Sequence, residues 1–336
     1  GTLKRMLARR PSLGVTTLLA LGTLYILWGS TYLAIRFGIQ TIPPLLMASA
    51  RFLLAGILMY VWALQRGELR DGAPSRRHWL ATLVIGGLLL AGGNGGVTWG
   101  EQFIASGVAA LLVATVPVWM ALLAHLTGQE RLSRLVGAGL VLGIAGVVLV
   151  AHPWSGSFGQ VKGVVVVLLA ALAWASGSLY ARRATLPRSA ILVTGMEMLC
   201  GGLVLLVAAG LDGEFGRLRP QNFSVASVLA LLYLVVFGSI VAFSAYVWLL
   251  NHVSAALAGT YAFVNPAVAV FLGAVFAHEP LTTTVLVGGG VIISGVSLVV
   301  AGRSVSSRAD RRAALGAEGG GQGLRGSSAG VAPPSR

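Results

Sequence analysis

The chain has 336 residues, 56% of them hydrophobic and only 10% charged, with a formal net charge of +14. That balance excludes an ordinary soluble domain and points to an all-α polytopic membrane protein, in line with a mean hydropathy of +0.84. Because the basic residues lie between apolar runs, anionic lipids at the cytoplasmic face account for the charge and nucleic acid does not.

In chain order, residues 1–13 form a basic leader with Lys4, Arg5, Arg9 and Arg10. Ten transmembrane helices are expected at 14–36, 45–64, 79–98, 106–127, 134–151, 162–181, 190–210, 226–250, 254–277 and 283–302. Each is near the ~20 residues that a hydrocarbon core requires. Residues 303–336, rich in Gly, Ser, Ala and Arg, read as a disordered cytoplasmic tail. Arginines and lysines gather in the leader, in 66–77, 131–134 and 182–188, and in the tail, all on one side of this arrangement. The loops on the other side carry Lys162, Arg217 and Arg219, so both termini are expected in the cytoplasm.

The chain also repeats itself. Pro117 and Pro266 are 149 residues apart, and the same shift pairs Trp99 with Trp248, Glu130 with Glu279 and Gly146 with Gly295. Earlier in each half a shift of 146 pairs Trp28-Gly-Ser30 with Trp174-Ala-Ser176 and Arg36 with Arg182. Residues 14–151 and 162–302 are thus two repeats of five spans each. An odd number of spans inserts the second repeat upside down. Pro117 and Pro266 should kink or break their helices, since proline removes a backbone hydrogen bond. Matching proline-interrupted helices in inverted halves point to a transporter with its site near the midplane.

The stretches WGSTYLAIRFG from Trp28, PPLLMASARFLLAG from Pro43 and GNGGVTWGEQ from Gly93 belong to the first half. WASGSLY from Trp174, EMLCGG from Glu197 and ALAGTYAFVNPAVAVFLGAVFAHEPLT from Ala256 belong to the second. With them the chain resembles the drug/metabolite transporter superfamily over about residues 14–302. The resemblance is to the ten-helix family of two inverted five-helix EamA repeats, and within it to the YedA-type exporter subgroup. It implies export of small metabolites or drugs by alternating access across a bacterial inner membrane, and it leaves the cargo open.

Within the spans, Arg51 and Glu197 stand out because ionisable side chains in a bilayer are costly. Three readings are open for them. Arg51 binds an anionic group of the substrate while Glu197 senses a proton or an amine; the two are structural partners or bond to backbone carbonyls; or both snorkel to the headgroups. Trp28, Ser30, Tyr32, Asn94, Trp174, Ser178, Tyr261 and Asn265 supply the aromatic walls and hydrogen-bonding groups of a substrate cavity. The alternative is that the small residues pack helices and the aromatics sit at membrane interfaces. Glu101 reads as an interfacial carboxylate in water, or as a rim group. Glu130 and Glu279 read as favouring the N-terminal end of the helix that follows each. Arg36 reads as snorkelling.

Gly139-x-x-x-Gly143 has the spacing of a homodimer face. The five histidines lack ligand spacing, Cys200 is the single cysteine, and no Gly-rich loop ends in Gly-Lys-Ser/Thr. No metal, cofactor or catalytic residue is expected. The function that fits is secondary export of a small organic solute, coupled to a proton through Glu197 or Glu101 or driven by the substrate gradient. A facilitative uniporter or channel is the alternative.

Overall fold

A computed structural model describes residues 14–69, 72–128, 133–151, 158–253, 257 and 259–323. Its helices are α1 (Val15–Gly38), α2 (Pro44–Gln65), α3 (Arg76–Gly100), α4 (Ser106–Leu126) and α5 (Arg134–Ala151). Then come α6 (Phe158–Ala181), α7 (Ala190–Leu211), α8 (Val225–His252, in three consecutive helical pieces), α9 (Tyr261–Phe276) and α10 (Thr283–Gly323). Among the described residues, nine helices are long and apolar enough to cross a bilayer, and α9 is a shorter apolar helix. Large apolar side chains such as Leu19, Ile26, Ile144, Leu169 and Phe271 point outward. In water such a surface would drive aggregation; against acyl chains it is at home.

The halves interlock. α1 packs on α8 and α9 while α6 packs on α3 and α4, so exchanging the halves reproduces the pairs. α2 pairs with α7, α4 with α9 and α5 with α10 across the same divide. α3 and α8 each widen into a π-helix at corresponding places, Gly87–Gly95 and Leu234–Val241. A π-turn displaces carbonyls from the regular ladder, which is why such turns recur at functional sites.

The two prolines act differently. α4 is interrupted at Ala114-Thr115, between Ser106–Val113 and Val116–Leu126, with Pro117 opening the second piece. The Thr115 hydroxyl donates to the Leu112 carbonyl at 2.6 Å and meets an acceptor at the break. Pro266, by contrast, does not break its helix but lies inside α9. It sits close to the start of that helix and forfeits a single backbone donor. The interruption is instead a turn at Gly259-Thr260.

Helices in lipid gain nothing from hiding apolar surface on one another, so they hold by close contact. A Cβ on Gly139 would lie 2.6 Å from the Gly295 carbonyl oxygen, and one on Gly295 would lie 2.5 Å from the Gly143 nitrogen. Gly139 and Gly143 therefore face α10 of their own chain. The spacing read as a dimer face serves an internal interface.

The expected tail differs too. α10 runs on to Gly323, past the boundary at 302, through a segment rich in Ala and Arg, which are strong helix formers. Residues 1–13, Glu130 and 324–336 lie outside the described residues.

Gly139→Ala forces two backbones apart and is expected to cost about 1–3 kcal/mol. Gly137→Ala meets open space and should leave stability unchanged or slightly raised. Thermal unfolding of the two variants in detergent checks the contrast, and equal Tm values would contradict the packing.

Candidate functional site

The π-turn of α8 is where the candidate residues converge. Arg51 on α2 is buried, and its Nε donates to the Ser239 hydroxyl at 2.9 Å. Its guanidinium lies 4.8 Å from the centre of the Phe52 ring. It forms no ion pair among the described residues, with Glu197 or any other carboxylate. The neighbouring Gly238 carbonyl accepts from Trp28 Nε1 at 3.2 Å. A side chain on Gly238 would meet Arg51 at 3.2 Å and Thr31 at 3.0 Å, so glycine there lets α1, α2 and α8 converge.

Trp28 is the hub of an aromatic cluster. Its ring centre lies 5.3 Å from Phe243, 5.3 Å from Tyr246 and 4.9 Å from Tyr261, the last edge to face. Aromatic pairs favour this geometry. Two residues on, Ser30 shares a 2.6 Å hydrogen bond with the Tyr233 hydroxyl. Tyr32 on α1 is half-buried against the apolar cluster of α3, α4 and α6.

The remaining candidates stand elsewhere or have their polar groups engaged. Trp174 packs on α3, where a Cβ at Gly93 would lie 2.9 Å from its ring; Asn94 follows on the same π-turn. The Ser178 hydroxyl donates to the Trp174 carbonyl in its own helix, which leaves it no free donor for cargo. Glu197 on α7 is half-buried, and its backbone lies against Gly86 of α3. Asn265 is buried with its amide oriented by its neighbours: the nitrogen donates to the Tyr261 and Tyr25 carbonyls, at 3.2 and 3.3 Å. Asn265 thus ties α9 to α1.

At one end of the bundle, carboxylates of the second half hold helices of the first. Glu279, in the turn before α10, accepts from the backbone N–H groups of Ser106 at 2.7 Å and Gly107 at 3.1 Å. It also accepts from the Ser106 hydroxyl at 3.0 Å. The helix that Glu279 caps is therefore α4, not the α10 that follows it in sequence. Glu214, buried in the short helix Glu214–Arg217, caps α2 in the same way. Its two oxygens accept from the N–H groups of Leu45 at 3.0 Å and Leu46 at 2.8 Å, beyond the donorless Pro43-Pro44 pair. Burial pushes the Glu214 carboxyl up, and the two backbone donors oppose that rise.

Two expectations are overturned here. Glu101 does not face water: it is fully enclosed, and neither carboxylate oxygen has a hydrogen-bond partner among the described residues. Nor does Arg36 snorkel, because it folds back to donate to the Glu101 carbonyl at 2.8 Å. Sequence reasoning also passed over Gly238, Ser239 and Glu214. The polar break in LVVFGSIV could have flagged the first two. An acidic residue in the loop that faces a helix opening on Pro-Pro was the signal for the third.

Comparison with known proteins agrees with this architecture. The model of the EamA-like transporter family matches residues 15–151 and 161–301. The chain is 42% identical over 292 residues to the uncharacterized inner membrane transporter YedA of Escherichia coli (strain K12), covering 84% of this chain and 90% of YedA. It is 25% identical over 285 residues to the uncharacterized transporter YoaV of Bacillus subtilis (strain 168), covering 84% of this chain and 96% of YoaV. A solved protein crystal structure with 20% sequence identity shares the fold at a TM-score of 0.57, over 85% of this chain and 97% of its own.

Glu279→Ala and Glu214→Ala each strand two buried backbone donors and are expected to cost about 1–3 kcal/mol. Arg217→Ala removes an exposed pair with Asp212 and should change stability by less than about 0.5 kcal/mol. Tm values of the three purified variants decide the matter.

Proposed function

This chain belongs to the EamA-like transporter family, and on that premise we propose that it exports a small organic solute across the bacterial inner membrane by alternating access. The cargo carries an anionic group beside an apolar or aromatic body. The observation that carries this reading is Arg51. It is a buried cation with no carboxylate partner among the described residues, and it lies one residue of α8 away from the contact with the Trp28 cluster. A buried guanidinium left uncompensated is unfavourable, and a planar anion is its natural complement.

The Trp28, Phe243, Tyr246 and Tyr261 rings form the apolar wall, and Ser30 and Tyr32 border it. Trp174, Asn94 and Glu197 form the corresponding surface of the other half, where Glu197 would receive an amine or a proton. With no Gly-Lys-Ser/Thr loop in the sequence, an ion or substrate gradient drives transport. Both termini face the cytoplasm in this arrangement, where the basic segments meet anionic lipids.

An untargeted comparison of small molecules in spent medium tests the proposal. Cells overproducing the wild type are set against cells holding a Trp28→Ala, Arg51→Ala double variant at equal membrane level. The expected result is an anionic, apolar-bodied compound enriched outside with the wild type alone. Equal enrichment with both proteins would remove the site assignment, and single-channel conductance from the purified protein would replace the carrier by a channel.

A further inference from the structure

Glu101 occupies the turn between α3 and α4, enclosed on all sides, with both carboxylate oxygens unpartnered. Charged and titratable groups approach it from three other elements. From α1, Arg36 gives its guanidinium N–H to the Glu101 carbonyl, not to the carboxylate, and Tyr32 lies within electrostatic reach. From the turn before α10 comes Glu279, already held by the start of α4. From α6, Lys162 stands over the rings of Trp99 and Phe103, at 4.5 and 5.0 Å, on either side of Glu101 in the chain. Among the described residues no donor meets the Glu101 carboxylate itself. In an enclosed site that arrangement suits the neutral acid, because a charged carboxylate there would have lost its water and gained nothing.

We infer that Glu101 is a proton-binding group whose occupancy is tied to the opening of this end of the bundle. It takes up a proton as the cap that Glu279 makes on Ser106 and Gly107 closes beside it and gives that proton back as the cap opens. The inference rests on the alternating-access reading above, in which this end must open to release cargo. Burial raises the Glu101 carboxyl well above its ordinary range, with Glu279 adding to the rise and Arg36 opposing it.

In the open form water reaches the carboxyl and its pKa returns towards about 4.3. Between that value and the raised one, closing takes up one proton, so acid favours the closed end and alkali the open end. Below the ordinary value both forms are protonated and the dependence vanishes. On the expected topology this end faces outward, and an acid exterior returns the empty carrier to its outwardly closed form.

The test is double electron–electron resonance on the full chain in liposomes without cargo. Nitroxides are placed at Gln40→Cys and Leu281→Cys, both exposed at this end, in a Cys200→Ala background. Two distance populations are expected, with their ratio moving about tenfold per pH unit towards the shorter distance as the pH falls within the window. Glu101→Gln, which imitates the protonated acid, should hold the shorter distance and ignore pH. Two populations indifferent to pH in the wild type would overturn the inference and leave alternating access standing. An undiminished pH response in Glu101→Gln would overturn it as well, since another group would then be titrating. One distance at every pH in both proteins would sink alternating access, and this inference with it. The wild-type series is decisive alone should the variant fail to insert.

Discussion

In a bilayer the helices of this protein have no solvent to escape from, so its halves are held by backbone brought against backbone. Glycine makes that possible: Gly139 and Gly143 against Gly295, Gly86 against Gly201, and Gly56 against Met198 and Leu199 all set first-half helices on second-half ones. Each contact would fail with a side chain in the way. Because every such seam joins one repeat to the other, the centre of the bundle is bounded by both halves at once. The rest of the architecture follows from that sharing.

Several of the polar contacts inside the bundle gather where regular helix gives way. The π-turn of α8 frees the Gly238 carbonyl for Trp28 and sets Ser239 beside Arg51. The π-turn of α3 brings Gly93 beneath Trp174. At one end, Glu214 and Glu279 satisfy the exposed N–H groups of α2 and α4 from the opposite repeat. These carboxylate caps are local hydrogen bonds that also act as interdomain ties, so any motion that separates the halves at this end must release them.

Much of this was legible in the residues. Apolar runs of bilayer length mark the helices, and most ends fall within a few residues of the observed ones, the start of α9 and the end of α10 excepted. The 149-residue shift marked Pro117 and Pro266 as matching breaks; α4 is interrupted beside Pro117 but α9 runs through Pro266, and the paired π-turns of α3 and α8 were not foreseen. What stayed hidden depended on partners far apart in sequence. Glu279 looked like a cap for the helix beside it, but the bundle carries the start of α4 to its carboxylate. Glu101 follows Trp99 and Gly100 at a helix end and looked solvated, yet α1 and the turn before α10 enclose it. Arg51 announced itself as a buried cation, while its partner Ser239 was one serine among many. Pro266 was a sound signal for a weakened ladder. It could not show that the chain would turn at Gly259-Thr260 instead.

The central claim is that the site around Trp28 and Arg51 belongs to both faces of the membrane in turn. It is tested most directly by a single thiol at Ser30→Cys, two residues from Trp28, in a Cys200→Ala background. A membrane-impermeant thiol reagent would be applied outside intact cells and, separately, to inside-out vesicles. The account predicts labelling from both faces, each slowed when the protein is held closed on that face. Labelling from one face only, under every condition, would mean a fixed cleft and would contradict it.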